Sequence, residues 1–335
     1  MSAPESGPRP GPRPRAGFSR RGLLKAGGAT ALSAAAVGAL TVDDASATVP
    51  TSKRFDLSKP SYDVFRGTKL HESHHALQGM AFDVANRRLF IAQIRDGSSG
   101  DDLCINRLDA SGKVIGAMHL DGAGHGVSIG VEPVGSDSYV WVECDAHGTG
   151  DGARGTALAR FKFTDGGSPS SVRKFLKGSD TITCATDPVN KRILVRRKES
   201  GSMTFRLYDL ADVDVEKGTF GKELAKITQP GLGNGKVTFQ GYGVYGRYLY
   251  TLDGDGHPDR ADINSYLTCT DLNTGKVVER FRTKAGKSLN YREPEGVAVD
   301  RTPGGEVRLC FGFASRPSGG GLNRYANVFH KNALV

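Results

Sequence analysis

The chain contains 335 residues, of which 45 are lysine or arginine and 36 are aspartate or glutamate, giving a formal net charge of +9. This excess is dispersed, without the basic runs of nucleic-acid-binding proteins, so it argues against a nucleic-acid partner and fits an anionic polymer better. Glycine is abundant, at 45 residues, and apolar residues form short clusters between turn residues. This pattern is typical of many short strands, and no segment of the sequence shows a sustained helical period.

Residues 1–47 have the features of a twin-arginine signal peptide. The segment 18–25 (FSRRGLLK) places paired arginines before two leucines and a lysine, and 26–40 is an apolar stretch rich in alanine and glycine. This stretch is too short for a membrane-spanning helix, and 45–47 (ASA) forms a cleavage site. We therefore expect export, with a mature domain at 48–335 that has no integral membrane segment and is secreted, extracellular or cell-wall associated.

Five cysteines follow the leader, an odd number with no C-x-x-C spacing. This pattern argues against a zinc site and against a complete disulfide framework. Each cysteine lies in an apolar, strand-like run, so we expect small buried side chains, although export would allow one or two bridges.

Five segments share one pattern, in which an alternating strand, a turn and a second apolar strand follow one another. Their leading positions, 78, 125, 182, 240 and 295, lie 47 to 58 residues apart, which is about one four-stranded propeller blade. The predicted strand pairs are 78–83 with 88–92, 125–129 with 139–142, 182–187 with 192–195, 240–244 with 248–251, and 295–300 with 307–310. The sequence therefore predicts an all-β fold, a five-bladed β-propeller, with a β-sandwich or two small barrels as the alternative.

The two ends of the chain contain strand-like segments that could complete the last blade. The last segment carries one further strand, Tyr325 to His330, and strand-like segments at 55–57 and 62–65 precede the first repeat. Pairing one of these with the last strand would close the ring and remove exposed strand edges. We therefore predict a single domain with terminal strand closure, and we expect a monomer.

The leading residues of the five segments should converge, because the inner strand of each blade lines the propeller axis. The third segment begins with Ile182-Thr183, so a five-fold polar ring is not expected. In the other four segments a polar residue is followed by a glycine that permits close approach; these residues are Gln78, His125, Gln240 and Glu295. The non-functional alternative is a channel filled by water and by polar side chains that hydrogen-bond to one another.

Two charged segments lead into the first and last repeats, which are neighbours in a closed ring. Residues 69–78 carry three histidines, and 290–295 carry an arginine and two carboxylates. Meeting across this seam, they could perform acid/base chemistry on an anion or bind a divalent metal. Calcium is included among the metals, although 253–259 (DGDGHPD) lacks the terminal glutamate of a calcium loop and is interpreted as a solvated turn.

The chemistry of these side chains suggests a role for each. The candidate acid/base residues of a catalytic set are His125, Glu295, His74 and His75, with Glu295 also a candidate metal ligand. The candidate substrate-binding residues are Gln78 and Gln240 for positioning, Arg292 as an anion clamp, Glu293, and Tyr242 and Tyr291 for stacking on sugar rings.

The segment 75–79 (HALQG) and the segment 125–129 (HGVSI), within five such repeats, resemble a known β-propeller family. It is shared by teichoic acid biosynthesis protein C and the receptor-binding proteins of some phages of Gram-positive bacteria. The likeness covers residues 55–335. It implies a five-bladed propeller that engages cell-wall glycopolymers such as wall teichoic acid, and it does not supply a catalytic set.

Two functions follow as expectations. The first is a secreted enzyme that cleaves an anionic extracellular or cell-wall glycopolymer, as a hydrolase (phosphodiesterase or glycosidase) or a polysaccharide lyase. The alternative is a lectin-like module that binds the same anionic polysaccharide without turnover. A purely structural scaffold is a third reading.

Overall fold

The computed structural model describes residues 49–231, 237–256 and 264–335, so the predicted signal peptide at 1–47 lies outside the described residues. Within these ranges the chain is all-β, with two single-turn 3-10 helices, Gly150–Gly152 and Leu210–Asp212. None of the helices in the described ranges is long and apolar enough to cross a membrane. In chain order the strands are β1 (Tyr62–Thr68), β2 (Leu77–Asp83), β3 (Arg88–Ile94), β4 (Leu103–Leu108), β5 (Val114–Leu120), β6 (Gly130–Val134), β7 (Asp137–His147), β8 (Arg154–Lys162), β9 (Arg173–Phe175), β10 (Ile182–Asp187), β11 (Arg192–Glu199), β12 (Ser202–Asp209), β13 (Glu223–Thr228), β14 (Phe239–Tyr245), β15 (Tyr248–Asp253), β16 (Tyr266–Asp271), β17 (Val277–Arg282), β18 (Glu293–Arg301), β19 (Val307–Ser315) and β20 (Tyr325–Lys331).

The strands form five antiparallel four-stranded sheets in a ring, which confirms the predicted five-bladed β-propeller. Blades 1 to 4 each take four consecutive strands, beginning with β2, β6, β10 and β14 respectively. Blade 5 contains β18, β19, β20 and β1. The first strand of each blade is the innermost, and these five strands contact one another around the axis.

The ring is closed by pairing the first strand with the last. In blade 5, β1 lies antiparallel to β20, with Tyr62 opposite His330 and Thr68 opposite Ala326. A further bridge joins Phe55 to Leu334. Both of the N-terminal segments predicted for closure therefore take part, and the strand edge of β20 is covered.

The hydrophobic core is divided into five clusters, one between each pair of neighbouring blades. Each sheet turns alternate side chains to its two faces, so a blade contributes to two clusters. Trp141 of blade 2, for example, packs on Phe175 with ring centroids 4.7 Å apart, in the cluster shared with blade 3. Four of the five cysteines are buried and all five are free thiols, as expected for small core side chains.

Aspartates at the ends of inner strands fasten one blade to the next. Asp83, the last residue of β2, accepts the Asn86 N–H at 2.9 Å and the Ser138 hydroxyl of blade 2 at 2.5 Å. Asp187, the last residue of β10, accepts the Gly246 N–H of blade 4 at 2.7 Å. Burial raises the pKa of Asp187, because a carboxylate loses free energy of hydration when it leaves water. The hydrogen-bond donors offset part of that cost. The aspartate that recurs in the repeats therefore both ends a strand and links two blades.

Glycines bring the inner strands into backbone contact on the axis. A β-carbon added to Gly79 would lie 2.5 Å from the carbonyl oxygen of Gly126, and one added to Gly241 would lie 2.9 Å from the Cα of Gly296. Gly296 also has a φ of +70°, which favours glycine. The close approach expected at these four positions is present in the structure, and it holds the polar residue that precedes each glycine beside the others.

The strand predicted at 125–129 is wrong. The inner strand of blade 2 is β6, Gly130–Val134, and 125–129 form an irregular segment that leads into it. Gly124 and Gly126 have φ values of +124° and +78°, which are incompatible with a regular strand. His125 therefore reaches the axis on a loop, not on a strand.

The axial contact can be tested with a matched pair of glycines. Gly79→Ala is expected to lower the free energy of unfolding by about 1 to 3 kcal/mol, because overpacking a close-packed site costs this much. Gly167→Ala is the control, since an added β-carbon there meets nothing within 4 Å, and it should change stability by less than about 0.5 kcal/mol. Urea unfolding measures both, and equal effects would contradict the close axial packing.

Candidate functional site

A cavity of about 450 Å³ opens at the end of the axis where β2, β14 and β18 begin. The structure brings together there all four polar residues that precede the axial glycines, along with His74 and His75. No residue of blade 3 contributes to the described lining. At the corresponding place on blade 3, Ile182 is fully buried in the core between blades 2 and 3. The ring of polar residues is therefore four-fold, as the sequence of the third repeat indicates.

Gln78 and Glu295 are hydrogen-bonded across the seam between blades 1 and 5. Nε2 of Gln78 donates to Oε1 of Glu295 at 3.4 Å, and Glu295 is only 5% exposed. On blade 4, Nε2 of Gln240 donates to the carbonyl oxygen of Gly254 at 3.1 Å. These bonds fix two amides and a carboxylate at the cavity wall, and such groups are suited to hydrogen-bonding sugar hydroxyls.

The segment before β2 carries two histidines to the cavity and is held by one carboxylate. Asp96 accepts the backbone N–H groups of Ser73 and His74 at 2.9 and 3.1 Å, and Nδ1 of His74 lies 3.5 Å from the same carboxylate. His75 is half-buried, and burial lowers its pKa below the usual 6.5. Its imidazole is therefore neutral at neutral pH and able to accept a proton.

A buried carboxylate positions two further groups at the cavity. Oε1 of Glu143 accepts the Gly126 N–H at 2.7 Å, and its Oε2 accepts the Gly155 N–H at 2.6 Å. The residues next to these glycines, His125 and Arg154, both line the cavity. Burial raises the pKa of Glu143 to about 7, against the opposing effect of these two N–H donors. Glu143 was not recognised in the sequence, because it lies in mid-strand among apolar residues.

Arg292 is not an anion clamp, and that prediction is corrected. Its guanidinium donates to the carbonyl oxygens of Ala285 and Thr283 at 2.8 and 3.1 Å and to the Ser265 hydroxyl at 2.8 Å. It also lies 3.9 Å above the ring of Phe313, and the residue is 5% exposed. These partners engage the donors that would grip an anion, so Arg292 ties the loop before β18 to blade 4.

Tyr242 is also corrected, from a sugar-stacking residue to a core residue. Its side chain is fully buried and packs edge-on against Phe205 with centroids 5.0 Å apart. A register shift between Phe239 and Gly241 interrupts the alternation of β14. Gln240 therefore lines the cavity while Tyr242 belongs to the core between blades 3 and 4.

Tyr291 and Glu293 do line the cavity, but the ring of Tyr291 already has partners. The guanidinium of Arg316 lies 3.7 Å from its centroid, and a β-carbon on Gly256 would lie 2.7 Å from its Cζ. Tyr291 has a φ of +73°, which is unusual for an aromatic residue. Its ring therefore supports an arginine, in place of the predicted stacking on a sugar.

Three arginines in the lining escaped the sequence analysis: Arg154, Arg316 and Arg324. Arg316 and Arg324 share the ring of Tyr291, with the second guanidinium 5.8 Å from its centroid. Burial and the charge of Arg316 lower the pKa of Arg324. Within the described chain, the buried Nε of Arg316 has no hydrogen-bond partner. Two cations are thus held close together, with at least one donor unused.

A topological rule could have found these arginines. In an antiparallel blade the second strand ends, and the third begins, at the same end of the propeller where the first strand begins. Arg316 directly follows β19, Arg154 begins β8, and Arg324 directly precedes β20. All three positions are therefore at the cavity end, although no local sequence motif marks them.

The structure does not support the metal predicted between the histidines and Glu295. Among the described residues, the metal-ligand side chains that lie close enough together to hold one ion are those of His71, Glu72 and His119. These three residues lie outside the cavity. In the described part of the calcium-like loop, Arg280 holds Asp253 through two bonds of 2.6 Å. Asn264 donates to Asp255 at 3.0 Å. Residues 257–259 of that loop lie outside the described residues.

The fold and the cavity together define a five-bladed β-propeller that presents a polar cavity of mixed charge at one end of its axis. The family model of the phage 5-bladed beta-propeller receptor-binding platform domain matches residues 76–330. Since this match covers most of the chain, the protein belongs to that family. No curated protein matches the chain.

Several solved structures are similar in shape at low sequence identity. A GH43 protein mutant, BlXynB from Bacillus licheniformis, is 11% identical with a TM-score of 0.42, covering 80% of this chain and 54% of its own. The xylan beta-1,4-xylosidase of Bacillus halodurans is 10% identical with a TM-score of 0.44, covering 79% and 53%. A subtype N11 neuraminidase-like protein of A/flat-faced bat/Peru is 11% identical with a TM-score of 0.45, covering 85% and 95%. The chain spans about half the length of the two glycosidase structures, and nothing about function follows from these likenesses.

Replacing Glu143 by glutamine should change how stability depends on pH. The folded pKa of about 7 lies above the ordinary value of 4.5, so the folded state binds this proton more tightly than the unfolded state. The stabilisation is complete below about pH 4.5 and is lost as the pH rises through about 7. Glu143→Gln removes this titration, so the free energy of unfolding of the variant should not fall as the pH rises through about 7.

Urea unfolding at about pH 5.5 and about pH 8.5 measures the effect. At about pH 5.5 the variant should be less stable than wild type by about 1 to 3 kcal/mol, because one backbone N–H then faces an amide N–H₂, and this difference should narrow at about pH 8.5. Glu216→Gln is the control, since Glu216 is an exposed partner of Arg173, and it should keep the wild-type slope. An unchanged slope in Glu143→Gln would show that this carboxyl does not titrate there.

Proposed function

We propose that this protein binds an anionic cell-surface glycopolymer, of the phosphate-bearing teichoic-acid type, in the cavity at the end of its axis. The observation that carries the proposal is the pair of guanidiniums, Arg316 and Arg324, held on the ring of Tyr291. Two cations brought together in a half-buried position repel each other, and an anion between them would relieve that repulsion. The lowered pKa of Arg324 has this repulsion as one of its causes.

The geometry of the donors favours a phosphate or carboxylate as the anion. A guanidinium presents N–H groups in a planar fork that matches two oxygens of such a group. The Tyr291 ring restricts the motion of Arg316, so less side-chain entropy is lost when an anion binds. Arg154 supplies a third cation to the same lining.

The rest of the lining is suited to the sugar or polyol part of such a polymer. Gln78, Gln240 and Glu295 present amide and carboxylate groups that pair with hydroxyls, and Glu293 adds a second carboxylate. The family is named for a receptor-binding platform, and a propeller that binds a surface polymer would serve such a role. We extend the proposal to location, with the predicted leader exporting a monomer to the cell wall or the medium.

Single substitutions of the two arginines test this proposal. Arg316→Ala and Arg324→Ala should each weaken binding to immobilised wall teichoic acid by at least about tenfold, since charge-assisted bonds contribute about 1.5 kcal/mol or more. Binding should also weaken as salt is raised. Surface plasmon resonance with the full chain measures both effects.

Arg66→Ala is the matched control for this experiment. Arg66 also lies over an aromatic ring, that of Phe329 at 4.9 Å, but it is outside the cavity lining. Its loss should leave binding unchanged. If Arg66→Ala weakens binding as much as Arg316→Ala does, or if a neutral polysaccharide binds equally well, then the proposal is wrong.

A second candidate function is cleavage of the same polymer. It is favoured by the nearly buried carboxylate of Glu295 and the neutral imidazole of His75, which share the cavity wall with the arginines. Such a pair can transfer protons at the bond next to a bound phosphate or sugar.

Fragment release separates cleavage from binding alone. If the protein is an enzyme, wild type releases soluble fragments from teichoic acid or a uronate-containing polysaccharide, and Glu295→Gln lowers the rate by at least about 100-fold while binding persists. The exposed Glu216 provides the control variant Glu216→Gln, which should keep full activity. No release from either polymer, with binding intact, would remove the enzymatic function.

A further inference from the structure

Three side chains of metal-ligand type meet on the outer side of blade 1, away from the cavity. His71 and Glu72 come from the segment before β2, and His119 comes from the outer strand β5. One ligand atom from each lies within 4.8 Å of those of the other two. Nε2 of His119 is 3.0 Å from Oε1 of Glu72, and the two imidazole rings meet edge to face with centroids 5.4 Å apart.

Buried amides hold the backbone of this segment in place. The His71 N–H donates to Oδ1 of Asn106 at 2.8 Å, and the Glu72 N–H donates to Oε1 of Gln93 at 3.1 Å. Asn106 and Gln93 are both fully buried and are bonded to each other at 3.1 Å. The backbone that carries His71 and Glu72 is therefore held in place by two buried side chains of blade 1.

The carboxylate itself is also oriented by a neighbour. Oε2 of Glu72 accepts the Asp96 N–H at 3.1 Å, which leaves Oε1 facing His119. Metal-ligating carboxylates are commonly held in this way, by a hydrogen bond to the oxygen that does not bind the ion. An exposed ion pair between His119 and Glu72 would need neither this bond nor the adjacent imidazole of His71.

We propose that His71, Glu72 and His119 form a binding site for a divalent transition metal of the zinc class. Two imidazoles and one carboxylate are typical ligands of zinc and its neighbours, whereas calcium and magnesium prefer oxygen ligands throughout. Three protein ligands leave at least one coordination position. His71 is exposed, and it lines a surface groove together with His119, Lys113 and Asp165, so this position faces solvent.

The bound metal would fasten the segment before β2 to the outer edge of blade 1. That segment continues directly into His74 and His75 of the cavity, so the ion would help to order one wall of the cavity without contacting a ligand there. The site rests on its own residues and does not depend on which polymer the cavity binds.

Zinc binding by the full chain tests the proposal directly. The protein is produced without a polyhistidine tag, stripped with a chelator and titrated with zinc chloride by isothermal calorimetry. We expect one equivalent of zinc to bind, cobalt to give the visible absorption of a four- or five-coordinate ion, and calcium not to compete. His71→Ala and His119→Ala should each weaken zinc binding by at least about 100-fold.

Two variants serve as controls, because histidines elsewhere can also bind zinc weakly. His147→Ala removes an exposed histidine of β7, and His74→Ala removes a cavity histidine; both should bind zinc as the wild type does. Circular dichroism confirms that each variant is folded. A rise in the melting temperature with zinc should occur in wild type and His147→Ala and be absent in His119→Ala.

Any of three outcomes overturns the site. The first is a wild-type protein that binds no zinc at micromolar concentrations. The second is a His119→Ala variant that binds zinc as tightly as wild type. The third is a His74→Ala variant that loses binding to the same degree as His71→Ala. Because the readout is metal affinity alone, failure here is distinct from failure to bind the glycopolymer.

Discussion

The backbone contact among the axial glycines is the constraint on which both the ring and the cavity depend. A side chain at Gly79 or Gly241 would meet the backbone of another blade at 3 Å or less, so the inner strands could not converge. With glycine there, the five inner strands come close enough for the interblade clusters to pack. The same convergence sets the polar residue before each glycine at the wall of one cavity, so the fold and the site share a single cause.

Charge in the cavity is balanced, not simply positive. Three arginines face three carboxylates, Asp255, Glu293 and Glu295, in the lining. Burial lowers the pKa of His75, so its imidazole is neutral at neutral pH. The excess of basic residues over the whole chain is therefore not concentrated at this site. A ligand with only negative charge would meet opposing carboxylates, whereas one that combines an anion with hydroxyl or amino donors would satisfy both sets of groups.

The periodicity of the sequence predicted most of the fold, because the blades repeat one strand pattern, with an aspartate at the end of the inner strand in three blades and an axial glycine in four. It failed at 125–129, where the apolar alternation favours a strand but the pairing with β7 begins only at Gly130, opposite Trp141. At the site, the sequence correctly predicted that residues of the repeat itself, such as Gln78 and Glu295, come together. Arg316 and Arg324 were missed because nothing local marks them. Arg292 was misassigned because the sequence does not show that its donors bond to two nearby backbone carbonyl oxygens and a serine hydroxyl.

The pairing of β1 with β20 has a consequence for how the protein is made. One sheet contains both the first and the last strand of the described chain, so blade 5 cannot form until β20 has been synthesised. Until then β1 has no partner strand, and the core between blades 5 and 1 is open to water. A chain that stops before β20 therefore leaves an apolar seam exposed, which chaperones and proteases recognise, and only chains that include β20 can bury it.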